Sequence, residues 1–294
     1  MTGAHAHAVR QLSKRIRPVV PGDSLLADRF SRLLGLVAGL ESCVLALSGG
    51  IDSSLLLHVT SRILGRRCLA VTADSAALPT WDRTDAREAG DSAAEQGSEW
   101  RVVATRELDD PRYARNPRSR CFFCKAEVYG TLGRIRRSEG LECVVDGTNA
   151  TDLAASDRPG TAAAETLGVR SPLAEAGLTK EDVRTLAFAL GMKDWDRPES
   201  ACLSSRIPHG ARITPERLRR VESAELGIRA LGFSQVRVRD LGASARVEVG
   251  PSEVARLLAE PRAVDDIVRG VGFLDWVGVA YAGGGAGDQR VVGG

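Results

Sequence analysis

One segment constrains this chain more than any other: Ser48-Gly49-Gly50-Ile51-Asp52-Ser53-Ser54. It follows a short apolar run, Cys43–Leu47, and opens an amphipathic stretch, Ser53–Leu64. Two glycines let the backbone turn tightly and bring its N–H groups against an anion. The Ser48 and Ser53 hydroxyls add donors, and the helix that follows adds the positive end of its dipole. The segment therefore predicts a phosphate cradle at a strand-to-helix junction; Asp52 reads either as a magnesium or phosphate-network carboxylate or as an acidic helix-start residue that complements the dipole. It is not a Walker A loop, because no Gly-Lys-Ser/Thr follows. Nor does it have the G-x-G-x-x-G spacing of a dinucleotide fold.

The surrounding pattern tells what the loop is mounted on. Short apolar runs at Cys43–Leu47, Cys68–Ala73, Arg101–Thr105 and Cys143–Asp146 alternate with helical candidates at Ser53–Leu64, Trp81–Gln96 and Lys125–Ser138. Near-continuous apolarity suits strands buried on both faces. Their alternation with helices predicts α/β architecture with a doubly wound parallel sheet. Thr179-Lys-Glu-Asp182 reads as a capped helix start, with the helix running to Leu190 and stopping at Gly191. Asp194–Arg212, with Pro198, Pro208 and Gly210, predicts a long loop. A helix from Thr214-Pro215 to Leu231 follows, then strands at Gln235–Arg239 and Ala245–Val249, a helix from Ser252 and a strand near Phe273–Ala280. The expected organisation is a tail at 1–25, an α/β domain at 26–200, a smaller α+β domain at 201–285 and a loose Gly-rich end at 286–294. His5 and His7 belong to the expected tail.

Six cysteines in 294 residues are too sparse for a disulfide framework. Cys43, Cys68 and Cys143 sit inside the apolar runs and read as small core hydrophobes. Cys121, Cys124 and Cys202 sit in polar, arginine-containing segments, the first two as C-x-x-C in a loop before a helix. They need a chemical account. Zinc lacks an evident fourth ligand, His209 being the only nearby imidazole. Lys plus Arg is 40 and Asp plus Glu 38, a net charge of +2. That balance argues against a nucleic-acid coat or a membrane-surface protein. No apolar stretch approaches the roughly 20 residues of a membrane span, and no signal h-region follows the basic N-terminus, so a cytoplasmic location is expected.

The Ser48–Ser53 segment resembles the SGGxDS loop of the ATP pyrophosphatase (PP-loop) superfamily. That likeness implies that ATP and Mg²⁺ bind at Ala46, Leu47, Ser48, Gly49, Gly50, Asp52, Ser53 and Gly147. It places adenine at the end of the second strand, near Ala73 and Ser75. Further segments resemble the LarE family, the ATP-dependent sulfur transferases that build the nickel-pincer cofactor of lactate racemase. They are Asn116–Lys125, Asp146–Asn149, Arg158–Gly160, Arg170–Lys180 and Arg197–Arg206.

This resemblance implies a small nucleotide substrate, a pyridinium biscarboxylic acid mononucleotide, whose carboxylates are adenylated and then converted to thiocarboxylates. Cys202 takes the sulfur-bearing position, Arg206 is the nearest cation to ionise it, and Ser204 and Ser205 in the same segment are expected to bind substrate. One branch of the family binds a [4Fe–4S] cluster on three cysteines, which implies Cys121, Cys124 and Cys202; the alternative is single-use donation from Cys202. Arg237 and Arg239, two apart on a strand, share one face. They read either as grips for phosphate or carboxylate or as an exposed polar face. Glu225 and Glu248 fall in segments matching acidic metal or phosphate positions. Homo-oligomeric assembly and an unidentified sulfide source are expected. The competing readings are a PP-loop tRNA thiolation enzyme, an ammonia-using synthetase and a non-catalytic nucleotide-binding regulator.

Overall fold

The four apolar runs form one parallel sheet. A computed structural model describes residues 7, 9–12, 14, 24–154, 159–193, 195–196, 200–281 and 291–292. The chain divides into two compact units. The first comprises Met1–Ser75, Trp81–Glu107 and Ser119–Ser200; the second comprises Ala76–Thr80, Leu108–Arg118 and Ala201–Gly294.

In the first unit the strands are β1 (Cys43–Ala46), β2 (Cys68–Asp74), β3 (Glu99–Ala104) and β4 (Cys143–Val145). They are ordered β3-β2-β1-β4 and all parallel. Helices cover both faces of β1, β2 and β4, as the continuous apolarity predicted; β3, expected to be buried on both faces, is instead the sheet edge and has no buried residue, Val102 being 50% exposed. On one face Cys43, Leu45, Cys68 and Ala70 pack with helices α1 (Ser24–Ala38), α2 (Ile51–Leu64), α3 (Thr80–Ala94) and, further along the chain, Lys180–Ala189. On the other, Val44, Leu69, Val71 and Val144 pack with Tyr129 and Leu132. The chain moves outward from β1 to β3, then returns to the other side of β1 for β4. The connections after β1 and β4 therefore part at the carboxyl edge, where ligands bind in open α/β sheets.

Several local features follow from sequence. Thr179 caps α5 (Lys180–Ala189), accepting from the Asp182 amide while Asp182 accepts from the Thr179 amide. The expected tail differs in part: Leu12 is buried in the first core, because its aliphatic side chain finds the same apolar face as Leu26 and Phe30. His5, Pro18 and Pro21 lie outside the described residues.

In the second unit, α6 (Pro215–Ala230) is capped by Thr214 with Pro215 at its first position. Strands β5 (Val236–Asp240) and β6 (Ser244–Val249) pair antiparallel, and β6 pairs parallel with β7 (Asp275–Ala280). The single helix expected after Ser252 is broken. A first helix, Val254–Ala259, ends before Pro261, whose missing N–H suits the first turn of a second helix, α7 (Pro261–Gly270). Val236, Val238, Val247, Val249, Val264 and Phe273 fill this core. Val291–Val292 pair with Gly278 and Val279; the rest of the Gly-rich end expected to be loose lies outside the described residues. No helix among the described residues is long and apolar enough to cross a membrane.

Candidate active site

The loop after β1 is cross-braced by its own serines. The Ser48 amide donates to Ser53 Oγ (3.3 Å), Ser53 Oγ donates to the Gly50 carbonyl (3.0 Å), and the two hydroxyls lie 3.2 Å apart. Gly49 has φ 82°, and a Cβ there would stand 2.2 Å from the Asp82 carbonyl oxygen. Only glycine fits that turn. The loop ends at the N-terminus of α2, whose first turn carries Asp52.

The loop after β4 closes against it. A Cβ on Gly147 would stand 2.6 Å from the Ser53 amide nitrogen. Asn149, fully buried, donates from Nδ2 to Asp52 Oδ1 at 2.9 Å. Asp146 holds this second loop in shape. It accepts from Tyr129 Oη (2.5 Å), Ser171 Oγ (2.7 Å), Thr148 Oγ1 (2.8 Å) and the Thr148 amide (3.1 Å). Burial pushes the Asp52 carboxyl above its ordinary range, while the Asn149 hydrogen bond and the Lys180 charge pull it back and Asp152 adds to the rise. A cavity of about 830 Å³ opens here, lined among others by Ser48, Gly50, Asp52, Asp152, Lys180 and Arg184.

At the end of β2, Ala73 and Ser75 are half-buried. Arg83 fixes this turn, donating to Asp74 Oδ1 (2.6 Å) and the Ser75 carbonyl (2.9 Å). Ala46 and Leu47 complete the strand's approach to the loop, the Leu47 amide donating to Val71. Sequence reading missed Asn149 as a partner of Asp52, and it missed Lys180. A signal for Lys180 was present: a lysine at the first position of a helix opposes the helix dipole, so something other than helix stability keeps it there.

Cys121 and Cys124 were expected in a loop, but α4 (Arg120–Ser138) begins before them. The pair is therefore one turn apart on the helix's opening turns. Cys121 is exposed and Cys124 half-buried; none of the six cysteines is disulfide-bonded. Cys43 and Cys68 are buried, as expected of core residues, whereas Cys143 is only half-buried at the start of its strand; burial still pushes its thiol up to about 11.

In the second unit Cys202 is exposed and starts a short turn, Leu203–Arg206. Arg206 is 2% exposed and Glu225 fully buried. They form a two-pronged ion pair at 2.8 and 3.0 Å. Arg206 also reaches the Ala201 carbonyl, the Cys202 carbonyl and Ser205 Oγ. The structure thus gives Arg206 the task of anchoring the Cys202 turn through its backbone. Glu225, expected at a metal or phosphate position, is instead a core carboxylate, spent on Arg206 and the Val238 amide. Ser204 is likewise fully buried, its hydroxyl bound to Tyr113, so it cannot meet a substrate.

Arg239 donates to Glu248 and to the Ser205 carbonyl, and Arg246 donates to the same Glu248. Arg237 lies across the Tyr281 ring, 4.3 Å from its centroid, and burial lowers its pKa. Arg239 and Arg246 therefore share one carboxylate on a sheet face that also carries Arg237. Among the described residues no group of three or more His, Cys, Asp or Glu side chains is already gathered to hold a metal.

A parallel sheet whose first strand ends in this glycine–serine loop, met by a buried-asparagine loop at the switch point, is the architecture of a PP-loop ATP-using enzyme. No family model matches the chain. It is 39% identical over 236 residues to an uncharacterized protein of Synechocystis sp., covering 80% of this chain and 87% of that one. It is 32% identical over 249 residues to the pyridinium-3,5-bisthiocarboxylic acid mononucleotide synthase of Lactiplantibacillus plantarum, covering 84% of this chain and 89% of that protein. Over 195 residues it is 27% identical to a probable tRNA sulfurtransferase of Methanothermobacter thermautotrophicus, spanning 62% of this chain and 48% of that one. The chain belongs to the LarE family, the PP-loop sulfur transferases that include the Lactiplantibacillus synthase.

Proposed function

We propose that this chain uses ATP to adenylate the carboxylates of a pyridinium biscarboxylic acid mononucleotide and replaces each AMP with sulfur. The observation that carries the reading is the Ser48–Ser53 cradle, closed by Gly147 with Asp52 held by Asn149, in a chain of this family. A substrate carboxylate oxygen attacks the α-phosphorus of ATP, and the bond to pyrophosphate breaks. The leaving charge is received by the preorganised N–H donors of the loop rather than by a side-chain acid; Asp52 is the carboxylate that would hold Mg²⁺, which would supply further charge neutralisation there. Lys180 faces the same cavity and neutralises pyrophosphate.

The Cys202 thiolate then attacks the acyl carbon and AMP departs, leaving a thioester. Loss of the Cys202 Cα proton with cleavage of its Cβ–Sγ bond yields the thiocarboxylate and dehydroalanine. Cys121, Cys124 and Cys202 are the thiols that would hold a [4Fe–4S] cluster; soft thiolates suit iron, and such a cluster would supply a sulfide in place of the cysteine's own sulfur. The face bearing Arg237, Arg239 and Arg246 suits the substrate's phosphate.

The test begins with anaerobic purification and analysis for iron and sulfide, which separates the two sulfur sources. Pyrophosphate release is then compared with the pyridinium mononucleotide and with tRNA. The expected result is release with the small substrate only. Cys202→Ala should keep that release and lose all thiocarboxylate. Stimulation by tRNA alone, or normal thiocarboxylate formation by Cys202→Ala, overturns the reading.

A further inference from the structure

The exposed thiol of Cys202 stands on a foundation that is buried, and part of that foundation comes from a distant segment. Leu108–Arg118 precedes the C-x-x-C helix in sequence but packs in the second unit. Its short helix Pro111–Ala114 is capped by Asp110. Tyr113 is 1% exposed, and its hydroxyl shares a 2.6 Å hydrogen bond with that of Ser204, two residues after Cys202.

Asn116 is fully buried and has φ 57°, the only positive φ at a non-glycine among the described residues. That left-handed conformation is costly for most side chains and tolerated by Asn. What holds it there is a set of contacts to the chain after Cys202. Asn116 Nδ2 donates toward three carbonyls, Ile207 (3.1 Å), Pro208 (2.8 Å) and Ala211 (3.1 Å). Its own carbonyl accepts from the Gly210 amide (2.9 Å), and the Ala114 carbonyl accepts from Ile213 (2.8 Å). An amide carries two protons, so three acceptors saturate it and fix its plane.

We infer that Tyr113 and Asn116 are positioning residues for Cys202, setting the direction in which its sulfur is presented. The inference rests on the proposed role of Cys202 in sulfur transfer. A purely structural account would need only burial. Here the polar groups of 113 and 116 are spent on the turn that carries the thiol and on the strand of chain leaving it. Neither residue lies in the unit that holds the Ser48–Ser53 loop, so adenylation and sulfur delivery should separate on substitution.

The test is the ratio of thiocarboxylate formed to pyrophosphate released, together with the rate of Cys202 alkylation by iodoacetamide, read on its peptide by mass spectrometry across pH. Tyr113→Phe keeps the ring and removes only the hydroxyl. Pyrophosphate release should stay within about twofold, while the ratio falls on the order of tenfold, the worth of one buried hydrogen bond in a positioned group. Ser204→Ala should reproduce the effect, and the double variant should be no worse than either single one. Asn116→Gly accepts the positive φ but loses the three carbonyl contacts, and should lower the ratio as well. Unchanged ratio and unchanged alkylation in both Tyr113→Phe and Asn116→Gly overturn the inference. If the unaltered protein forms no thiocarboxylate, the functional reading fails instead. The alkylation rate of Cys202 then still decides whether Tyr113 and Asn116 position it.

Discussion

Gly147→Ala tests the closure of the two site loops with a single carbon atom. In the structure an added Cβ would lie 2.6 Å from the Ser53 nitrogen, 2.8 Å from Ser53 Cα and 3.0 Å from the Asp52 carbonyl carbon, against 3.4 Å or more for ordinary contact. All three neighbours are backbone, so no side chain can rotate away. The shortfall at the Ser53 nitrogen is roughly 0.8 Å (3.4 − 2.6), and either loop must give. Gly147 does not have a positive φ, so alanine brings crowding without backbone strain. Overpacking of this kind costs about 1–3 kcal/mol of stability. A displacement near 1 Å at reacting groups costs on the order of a hundredfold in rate.

The predicted outcome is therefore a modest fall in melting temperature and a fall of about one to two orders of magnitude in kcat/KM for substrate-dependent pyrophosphate release. Gly133→Ala is the control. It lies within α4, where an added Cβ has no neighbour nearer than Arg137 Nη1 at 3.7 Å. It should raise stability by about 0.5–1 kcal/mol and leave the rate alone. If Gly147→Ala releases pyrophosphate at the unaltered rate, the two loops do not form one nucleotide site.

Two further outcomes follow from buried charges. Asp52 has its folded-state pKa raised, chiefly by burial, so its contribution to stability is fully present below the unfolded carboxylate value and is lost as pH rises through the folded one. Asp52→Asn should accordingly hold or raise stability at neutral pH. It should also abolish substrate-dependent pyrophosphate release, because a neutral amide is a poor magnesium ligand; unchanged release refutes the role. Breaking the Arg206–Glu225 pair with Glu225→Gln leaves a buried, partly compensated guanidinium and should cost about 3–5 kcal/mol in chemical denaturation. A loss below about 1 kcal/mol would mean that the pair does not anchor the Cys202 turn.

Much of this protein was legible in the sequence, for identifiable reasons. Buried parallel strands must be apolar on both faces, and Cys43–Leu47, Cys68–Ala73 and Cys143–Asp146 are. A phosphate cradle at a strand–helix junction needs glycines and hydroxyls in a fixed order, and Ser48–Ser53 supplies them. Caps such as Thr179 and Thr214 act through neighbours three residues away, so local reading finds them. Boundaries near proline and glycine were less secure: the C-x-x-C pair falls inside α4, and Pro261 divides one expected helix into two.

What the sequence could not decide is which polar side chains meet solvent and which meet each other. Ser204 and Arg206 look like site residues when read along the chain, because a charged or hydroxyl side chain beside a reactive cysteine is also what a site would use; Glu225 looks like one because its segment resembles the family's acidic positions. Folding brings Glu225 to Arg206 across 19 residues and Tyr113 to Ser204 across 91. Once paired and buried, those groups have no capacity left for a ligand. The same long-range closure put Asn149 on Asp52 across 97 residues. Local sequence thus fixed the phosphate loop and the sheet that carries it, because both depend on neighbours within a few residues. Tertiary structure alone decided which of the remaining polar residues stay available for chemistry, because burial and pairing depend on residues far away in the chain.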